Sequence, residues 1–329
     1  VKEDSMDILQ VKNLKVSFKT MFGKVNAVDN VSFSLKKGEV LGIVGESGSG
    51  KSVTSLSVMN LIEGPHGKIE SGEIIFEDKD ILKLKDKEMC KIRGSKISMI
   101  FQEPMTSLNP VFTVYKQINE VYKIHSKEPK KDNKKEIIKI LEQLNIPSPE
   151  EVINKYPFQL SGGMRQRIMI AMAIANNPKI IIADEPTTAL DVTTQGEILS
   201  LLKDITKRSE TSIMFITHDL GIIAELAKRV VVMYRGKILE ECTVLEFFDN
   251  PMHPYSKGLI NSMPDNFNGR FNTISGNVPS LYENIEGCPY ASRCSQAMDI
   301  CKEKEPCTKE LKDGHKVCCW LFNHVKGGL

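Results

Sequence analysis

No uninterrupted apolar run in this chain approaches the roughly 18 to 20 residues that cross a bilayer. The longest candidate, Ile168 to Ala175, has the length of one buried helix segment, so the chain is not expected to span a membrane. The first residues, VKEDSMDILQ, lack a basic stretch followed by an apolar one, so no secretory leader is expected and a cytoplasmic location is the starting expectation. Charge of one sign is also missing: Lys+Arg 44 against Asp+Glu 42 leaves +2. No net field therefore recruits nucleic acid or an anionic bilayer. Internal repeats and low-complexity tracts are absent. Cysteine is scarce through most of the length, yet Cys288, Cys294, Cys301, Cys307, Cys318 and Cys319 lie in the last 42 residues. That density is the range of a cross-linked or metal-bearing scaffold.

What is present is ordinary globular material. At 329 residues, with 41% hydrophobic and 26% charged side chains, the chain has length for about two domains. Ile8 to Leu35 alternates apolar and polar residues, which predicts strands with a turn near Gly23. Val40 to Val44 reads as a buried strand, and Val53 to Ile62 resumes at helical spacing. Gly67 to Glu77 suggests a hairpin and Ile97 to Phe101 another strand. From Val111 to Leu144 the pattern is helical, broken by the charged run Lys127 to Glu136. That run has no aromatic side chain to stack on bases and includes three acids, so it reads as a solvated loop and helix start. Strands at Ile180 to Ala183, Ser212 to Thr217 and Val230 to Met233 then alternate with helical stretches, the order of a mainly parallel α/β sheet. Prolines end that pattern near Asn250 to Tyr255.

Chemistry concentrates in three places. Gly45-Glu46-Ser47-Gly48-Ser49-Gly50-Lys51-Ser52, followed by Val53, fits G-x-x-x-x-G-K-[ST] between a predicted strand and a predicted helix. Its glycines let backbone N–H groups curl around phosphate oxygens at a helix N-terminus. Lys51 is expected to reach the β- and γ-phosphates and Ser52 to meet Mg2+. The loop is not a dinucleotide fingerprint, because Val53 stands where that pattern needs its last glycine. The second place is IIIADE, an apolar strand ending in Asp184 and Glu185. Asp184 suits a Mg2+ shell, and Glu185 can polarise a water against the γ-phosphate. His218, after the strand at Ser212 to Thr217, is a candidate γ-phosphate partner. The third is Leu160-Ser161-Gly162-Gly163, where Ser161 reads as the N-cap of a long helix and the glycines bare its N-terminus. One nucleotide has no obvious need of two such anion sites, so Ser161, Gly162 and Gly163 are expected to face a nucleotide held by another subunit.

The cysteine spacing, Cys288-x5-Cys294-x6-Cys301 and then Cys318-Cys319, fits neither the knuckle of structural zinc nor the run of bacterial ferredoxins. Disulfides conflict with a reducing cytoplasm. Spacing therefore leaves a metal site and packed thiols both open.

Taken together, the phosphate loop, Phe101-Gln102, LSGGMRQR, IIIADEP, Ala189-Leu190-Asp191 and Thr217-His218-Asp219 resemble the ATPase subunit of an ABC transporter, over about residues 7 to 245. The fold this implies is an α/β P-loop ABC ATPase with an antiparallel β subdomain, a mainly parallel core sheet and a helical subdomain at about 103–175. A small Cys-rich C-terminal domain would follow, giving a division into 1–245 and 246–329. The resemblance implies that Gln102 touches Mg2+ and the membrane subunit, and that Asp191 communicates across a dimer. It further implies an aromatic side chain stacked on adenine, Phe18 or else Phe22, and places Gly45, Ser47, Gly48, Ser49, Gly50, Lys51, Ser52 and Val53 around ATP.

GESGSGKSV, FQEPMTSLNPVFTV, NPMHPYSKGL and GCPYASRC are similar to the dipeptide and oligopeptide importers, and FKTMFGKVNAVDNVSF to the D-type of their two ATPases. This implies an F-type ATPase partner in a heterodimer, two transmembrane permease subunits, a peptide-binding protein outside, and a peripheral place on the cytoplasmic face of the membrane. Tyr156-Pro157-Phe158-Gln159 departs from the family's Tyr-Pro-His-Glu, at the coupling surface. The resemblance also implies a [4Fe-4S] cluster on Cys288, Cys294, Cys301 and Cys319, with Cys307 and Cys318 as extras and Zn2+ as the alternative. Importers of nickel or other solutes, soluble ABC ATPases acting on nucleic acid, and a nucleotide-regulated iron-sulfur switch are the competing functions.

Overall fold

The structure is a computed structural model that describes residues 6–62, 64–126, 132–188, 190–263, 274–312 and 314–323. Ala189 and the first half of the charged run, 127–131, lie outside the described residues. In chain order the strands are β1 (Asp7–Thr20), β2 (Gly23–Lys36), β3 (Val40–Val44), β4 (Gly67–Phe76), β5 (Lys79–Asp80), β6 (Ile97–Ile100), β7 (Ile180–Asp184), β8 (Ser212–Ile216), β9 (Arg229–Tyr234), β10 (Lys237–Thr243), β11 (Lys309–Glu310) and β12 (Lys316–Val317). They fall into two compact units. One holds Lys36–Val40 and Lys83–Ile216 with the first residues, and the other Asp7–Leu35, Leu41–Leu82 and Thr217–Leu329.

In the second unit, β2, β1, β4 and β5 form an antiparallel sheet in that order. The apolar alternation in β1 slips once: Leu9 and Val11 are buried, then Leu14 and Val16. The cause is a bulge. The register against β4 shifts between Lys12 and Lys15, and Asn13 takes a left-handed φ of 49°. Opposite it, a Cβ on Gly72 would lie 2.7 Å from the Leu14 Cα, so only glycine admits the extra residue on β1. The expected hairpin within Gly67 to Glu77 is instead the single strand β4. Its turn comes one step later at Glu77 and Asp78, both at positive φ, which is the geometry of a tight two-residue hairpin into β5. The unit also carries β11, β12, β10, β9 and β3 side by side, with β3 parallel to β9 and β9 antiparallel to β10.

The helix after the phosphate loop runs Lys51–Val58, shorter at its end than the Val53 to Ile62 pattern. Asn60 is left-handed, Asn60 N–H donates to the Ser57 carbonyl, and Leu61 N–H to the Leu56 carbonyl. That is the paired stop signal of a Schellman cap.

The first unit is built on parallel β6, β7 and β8, with Ile97 beside Ile180 and Ile180 beside Ser212. Every residue of β7 and β8 is buried, which is why both are continuous apolar runs and not alternating ones. Helices Val114–His125 and Lys134–Gln143 lie in the stretch Val111 to Leu144 expected to be helical, and helix Gly162–Ile174 follows Ser161.

The C-terminal residues are tied to the second unit by buried polar contacts. β12 pairs with β10, Glu240 opposite Val317. Glu240 accepts from Met252 N–H and His253 N–H, each at 2.8 Å, and from His315 Nε2 at 2.7 Å. Burial opposes its ionisation, but these hydrogen bonds, led by His315, outweigh it and hold its pKa below the usual value. His253 is itself buried, and its Nδ1 accepts from Tyr255 N–H at 3.0 Å. The ring is therefore neutral with its proton on Nε2, and burial drives its pKa from 6.5 down to about 4.

Between those two values the unfolded chain takes up a proton that the folded chain refuses, so stability falls as pH drops from 6.5 toward 4, by up to about 3 kcal/mol. Chemical denaturation from pH 7 to 5 should show this loss in the wild type. It should shrink in His253→Asn, which keeps an acceptor for the helix N-terminus. Identical pH slopes for the two proteins would refute the assignment.

Candidate nucleotide site

β3 is buried along its whole length and delivers the chain into the phosphate loop. Two glycines make the turn possible. Gly45 sits at φ +153°, and a Cβ there would come within 2.1 Å of the Met233 carbonyl oxygen; Gly50 sits at φ +100°, and its Cβ would come within 2.6 Å of the Ala27 oxygen. The loop is thus pressed between β9 and β2, where any side chain would collide. Lys51 is buried and donates to the carbonyls of Gly45 at 2.7 Å and Glu46 at 3.0 Å, with Ser49 Oγ at 3.4 Å. An ammonium held by neutral carbonyls is readily transferred to phosphate oxygens, which pair with it more strongly. Ser52 is exposed at the start of the helix, Ser49 is buried, and Ser49 N–H closes on the Glu46 carbonyl at 3.2 Å. Ser47, Gly48 and Val53 occupy the loop and the first helical turn as expected, with Gly48 at φ +76°.

In the same unit His218 is exposed after Thr217. The next residue, Asp219, caps helix Leu220–Leu226 by accepting from Gly221 N–H. Phe18 lies on β1 opposite Gly67, where a Cβ on Gly67 would meet its ring at 2.9 Å. Phe22 is at the β1–β2 turn, exposed, edge-on to Tyr282 with centroids 5.9 Å apart.

The first unit gathers the acids. Asp184, the last residue of β7, is buried. Glu185 follows at φ 46° with its N–H on the Ile216 carbonyl, and this left-handed step separates it from its neighbour. Its carboxylate accepts from Gln102 Nε2 at 3.1 Å and Thr188 Oγ1 at 2.9 Å. Gln102 and Glu185, 83 positions apart in sequence, are therefore direct partners. Ser161 is the N-cap expected of it, accepting from Met164 N–H at 3.3 Å, with Ser161 and Gly162 exposed. Asp191 caps helix Val192–Ser209, its carboxylate taking Thr194 N–H at 3.0 Å and Thr194 Oγ1 at 2.7 Å. The Thr194 N–H leads the hydrogen bonds that hold its pKa below the usual range. Thr194 packs on Gly163, where a Cβ would meet its methyl at 2.7 Å, so the Ser161–Gly163 corner and Asp191 share one support.

Residues 28–188 match the family model described as ABC transporter, and residues 239–301 the one described as oligopeptide/dipeptide transporter, C-terminal region. The oligopeptide transport ATP-binding protein OppD of Bacillus subtilis (strain 168) is 52% identical over 319 residues, 96% of this chain and 89% of that protein. This chain belongs to the ABC transporter ATP-binding subunits. The dipeptide transport ATP-binding protein DppD of Escherichia coli (strain K12) is 43% identical over 95% of this chain and 96% of its own length. A dimeric structure of the ATP-binding cassette MJ0796 in a post-hydrolysis state with ADP and Pi superposes with a TM-score of 0.65 at 30% identity, over 72% of this chain and 98% of that one. ATP binding and hydrolysis coupled to transport are characteristic of the family.

In this ABC subunit all eight cysteines are free, and Cys288, Cys301, Cys318 and Cys319 are buried. Burial pushes the Cys288 thiol up to about 12, and the nearby sulfurs of Cys301 and Cys319 add to it. Cys294 is raised by burial with Cys301 as a neighbour, and Cys319 likewise with Cys294 and Cys301. Cys301 thus acts on Cys288, Cys294 and Cys319, and Cys318 acts on Cys288 as well. Cys318 also donates to the Pro306 carbonyl at 3.1 Å, and Cys307 is exposed. Glu240, Cys242 and His315 converge within 4.8 Å, but the Glu240 oxygens are already taken by His315 and two backbone N–H groups, so this is a structural hydrogen-bond cluster. Sequence reasoning overlooked Glu46, whose N–H donates to Tyr255 Oη at 2.9 Å. It fills an unconstrained position of the loop pattern, so the pattern carries no signal for it.

A methyl at Gly45 imposes about 1 to 3 kcal/mol of backbone strain in addition to its collision. Gly45→Ala is accordingly expected to weaken ATP binding roughly ten- to hundredfold, read by titration with a fluorescent ATP analogue. Wild-type affinity would remove this close approach from the requirements of the loop.

Proposed function

We propose that this subunit powers uptake of oligopeptides or dipeptides by binding and hydrolysing MgATP. The observation that carries the hydrolytic reading is Glu185, set in a left-handed turn at the end of a buried strand with its carboxylate positioned by Gln102 and Thr188. The match of residues 239–301 and the names of the relatives support peptides as the cargo class. In this reading the N–H groups of the Gly45–Val53 segment and the Lys51 ammonium hold the phosphates, and Phe18 stacks on adenine. Ser52, Asp184 and Gln102 hold Mg2+. Glu185 polarises the attacking water, and His218 hydrogen-bonds the γ-phosphate. Ser161, Gly162 and Gly163 meet the nucleotide of an F-type ATPase partner, with Asp191 beside them.

The membrane side of the reading rests on a surface. Within the first unit Phe101, Val111, Tyr156 and Phe158 are exposed, and the Tyr156 and Phe158 rings stack at 5.7 Å. Exposed aromatic and aliphatic side chains, Phe101 directly before Gln102 among them, suit docking on two permease subunits, which receive peptide from a binding protein outside. Among the described residues no helix is long and apolar enough to cross a membrane, so attachment at the cytoplasmic face would be peripheral. The division of the chain at 245 and 246 belongs to the same proposal.

Free thiols at Cys288, Cys294, Cys301 and Cys319, three of them buried, suit a site in which metal charge offsets the cost of forming thiolates. Cys288, Cys294, Cys301 and Cys319 would hold a [4Fe-4S] cluster, or Zn2+ as the alternative. The group would cross-link a segment with little core of its own.

Glu185→Gln should retain ATP binding while turnover falls about a hundredfold or more; near-normal turnover would remove Glu185 from the base role. Protein purified without oxygen should be brown with broad visible absorption, and Cys294→Ser should lose it. Colourless wild-type protein carrying one zinc would overturn the cluster.

A further inference from the structure

Arg293 and Glu46 lie 247 positions apart, one in the Cys-rich GCPYASRC string and one in the phosphate loop. The Arg293 guanidinium grips the Glu46 carboxylate with two parallel hydrogen bonds, Nη1 to Oε2 at 2.6 Å and Nη2 to Oε1 at 3.0 Å. Two of its other three donors are also used: Nε on the Ser275 carbonyl at 3.0 Å and Nη1 on Tyr234 Oη at 3.3 Å. The arginine side chain is only 4% exposed and the glutamate 30%. Three tyrosines, Tyr234, Tyr255 and Tyr290, pack on one another with centroids 4.8 to 5.4 Å apart. The guanidinium sits over two of them, 5.8 Å from Tyr234 and 5.9 Å from Tyr290.

Glu46 is thus fixed at three points. Tyr255 Oη takes its N–H, Arg293 takes its carboxylate, and its carbonyl receives Lys51 Nζ. Each consequence bears on phosphate binding. The first is positional, because Lys51 rests on a peptide that Arg293 anchors. The second is electrostatic, because an unpaired carboxylate in a loop meant for a triphosphate repels it, and a bidentate arginine cancels that charge.

We propose that Arg293 is a positioning residue for the nucleotide site, through which the Cys-rich segment sets ATP affinity. The proposal rests on the phosphate-loop reading above. Arg293 touches no reacting atom and acts through Glu46, so its loss falls on binding and not on the chemical step. Because Arg293 lies between Cys288 and Cys294, anything that reshapes that segment alters the loop, and by linkage nucleotide binding stabilises the segment.

The test is a double-mutant cycle on the full chain, measuring Kd for a fluorescent ATP analogue together with KM and kcat. Arg293→Ala is expected to raise Kd and KM roughly five- to twentyfold with kcat within about twofold, Glu46→Ala to raise Kd by a smaller factor because it removes the carboxylate along with the anchor, and the double variant to be no worse than the poorer single. Arg293→Lys, which offers one contact where arginine offers two, should fall between. If Arg293→Ala does not fold, Arg293→Gln keeps a polar side chain of similar reach without the charge and reads the same loss. Overturning results are a Kd within twofold of wild type in Arg293→Ala or Arg293→Gln, effects that add in the double variant, or a fall in kcat without a change in KM. Lys51→Ala is the control. Wild-type protein that binds no ATP refutes the phosphate-loop reading and this proposal with it, whereas wild-type binding with an unaffected Arg293→Ala refutes only this proposal.

Discussion

A helix N-terminus exposes backbone N–H groups with no partner inside the helix, and this chain places such an end directly after a strand buried on both faces. Everything built around the phosphate loop follows from the need to reach that geometry within a few residues. The reversal requires left-handed backbone at Gly48 and Gly50 and a carbonyl contact at Gly45 that no side chain permits. The loop is then held from outside by Tyr255 and Arg293 and from inside by Lys51. A loop held at so many points has little conformational freedom left to lose.

A second constraint is the burial of charge. Glu240 is inaccessible to solvent and is stable there only because three donors reach it from two separate stretches of the C-terminal residues. Arg229 and Glu241 form a further close pair at the same strand. The Glu240 contacts tie the C-terminal residues to the sheet alongside buried Tyr255, Tyr290 and Val317, which suits a segment rich in glycine, proline and cysteine.

Much of this was legible because the residues involved obey strong local rules. Glycine, lysine and serine in the phosphate loop, Ser161 at its N-cap, and the buried runs of β7 and β8 declare themselves by type and spacing. Elements governed by fewer residues were harder to place. The hairpin assigned to Gly67 to Glu77 missed because β4 continues until two left-handed residues, Glu77 and Asp78, turn it. The helix end at Asn60 depends on a carbonyl-capping motif that periodicity does not register. β11 and β12 passed unnoticed, since two-residue strands exist only through the neighbour they pair with, and the seven-residue β10 was missed beside them.

The sequence by itself determined the nucleotide chemistry and the buried strands, because glycine stereochemistry, charge at a strand end and hydrophobic periodicity act over a few adjacent residues. Only the tertiary structure decided that Gln102 rests on Glu185, that Thr194 joins Asp191 to Gly163, and that Arg293 reaches Glu46. Those partners are brought together by strand order and by the return of the C-terminal residues to the sheet. A salt bridge spanning 247 positions leaves no periodic trace, since its strength depends on distance and desolvation in the folded chain and not on neighbours in sequence.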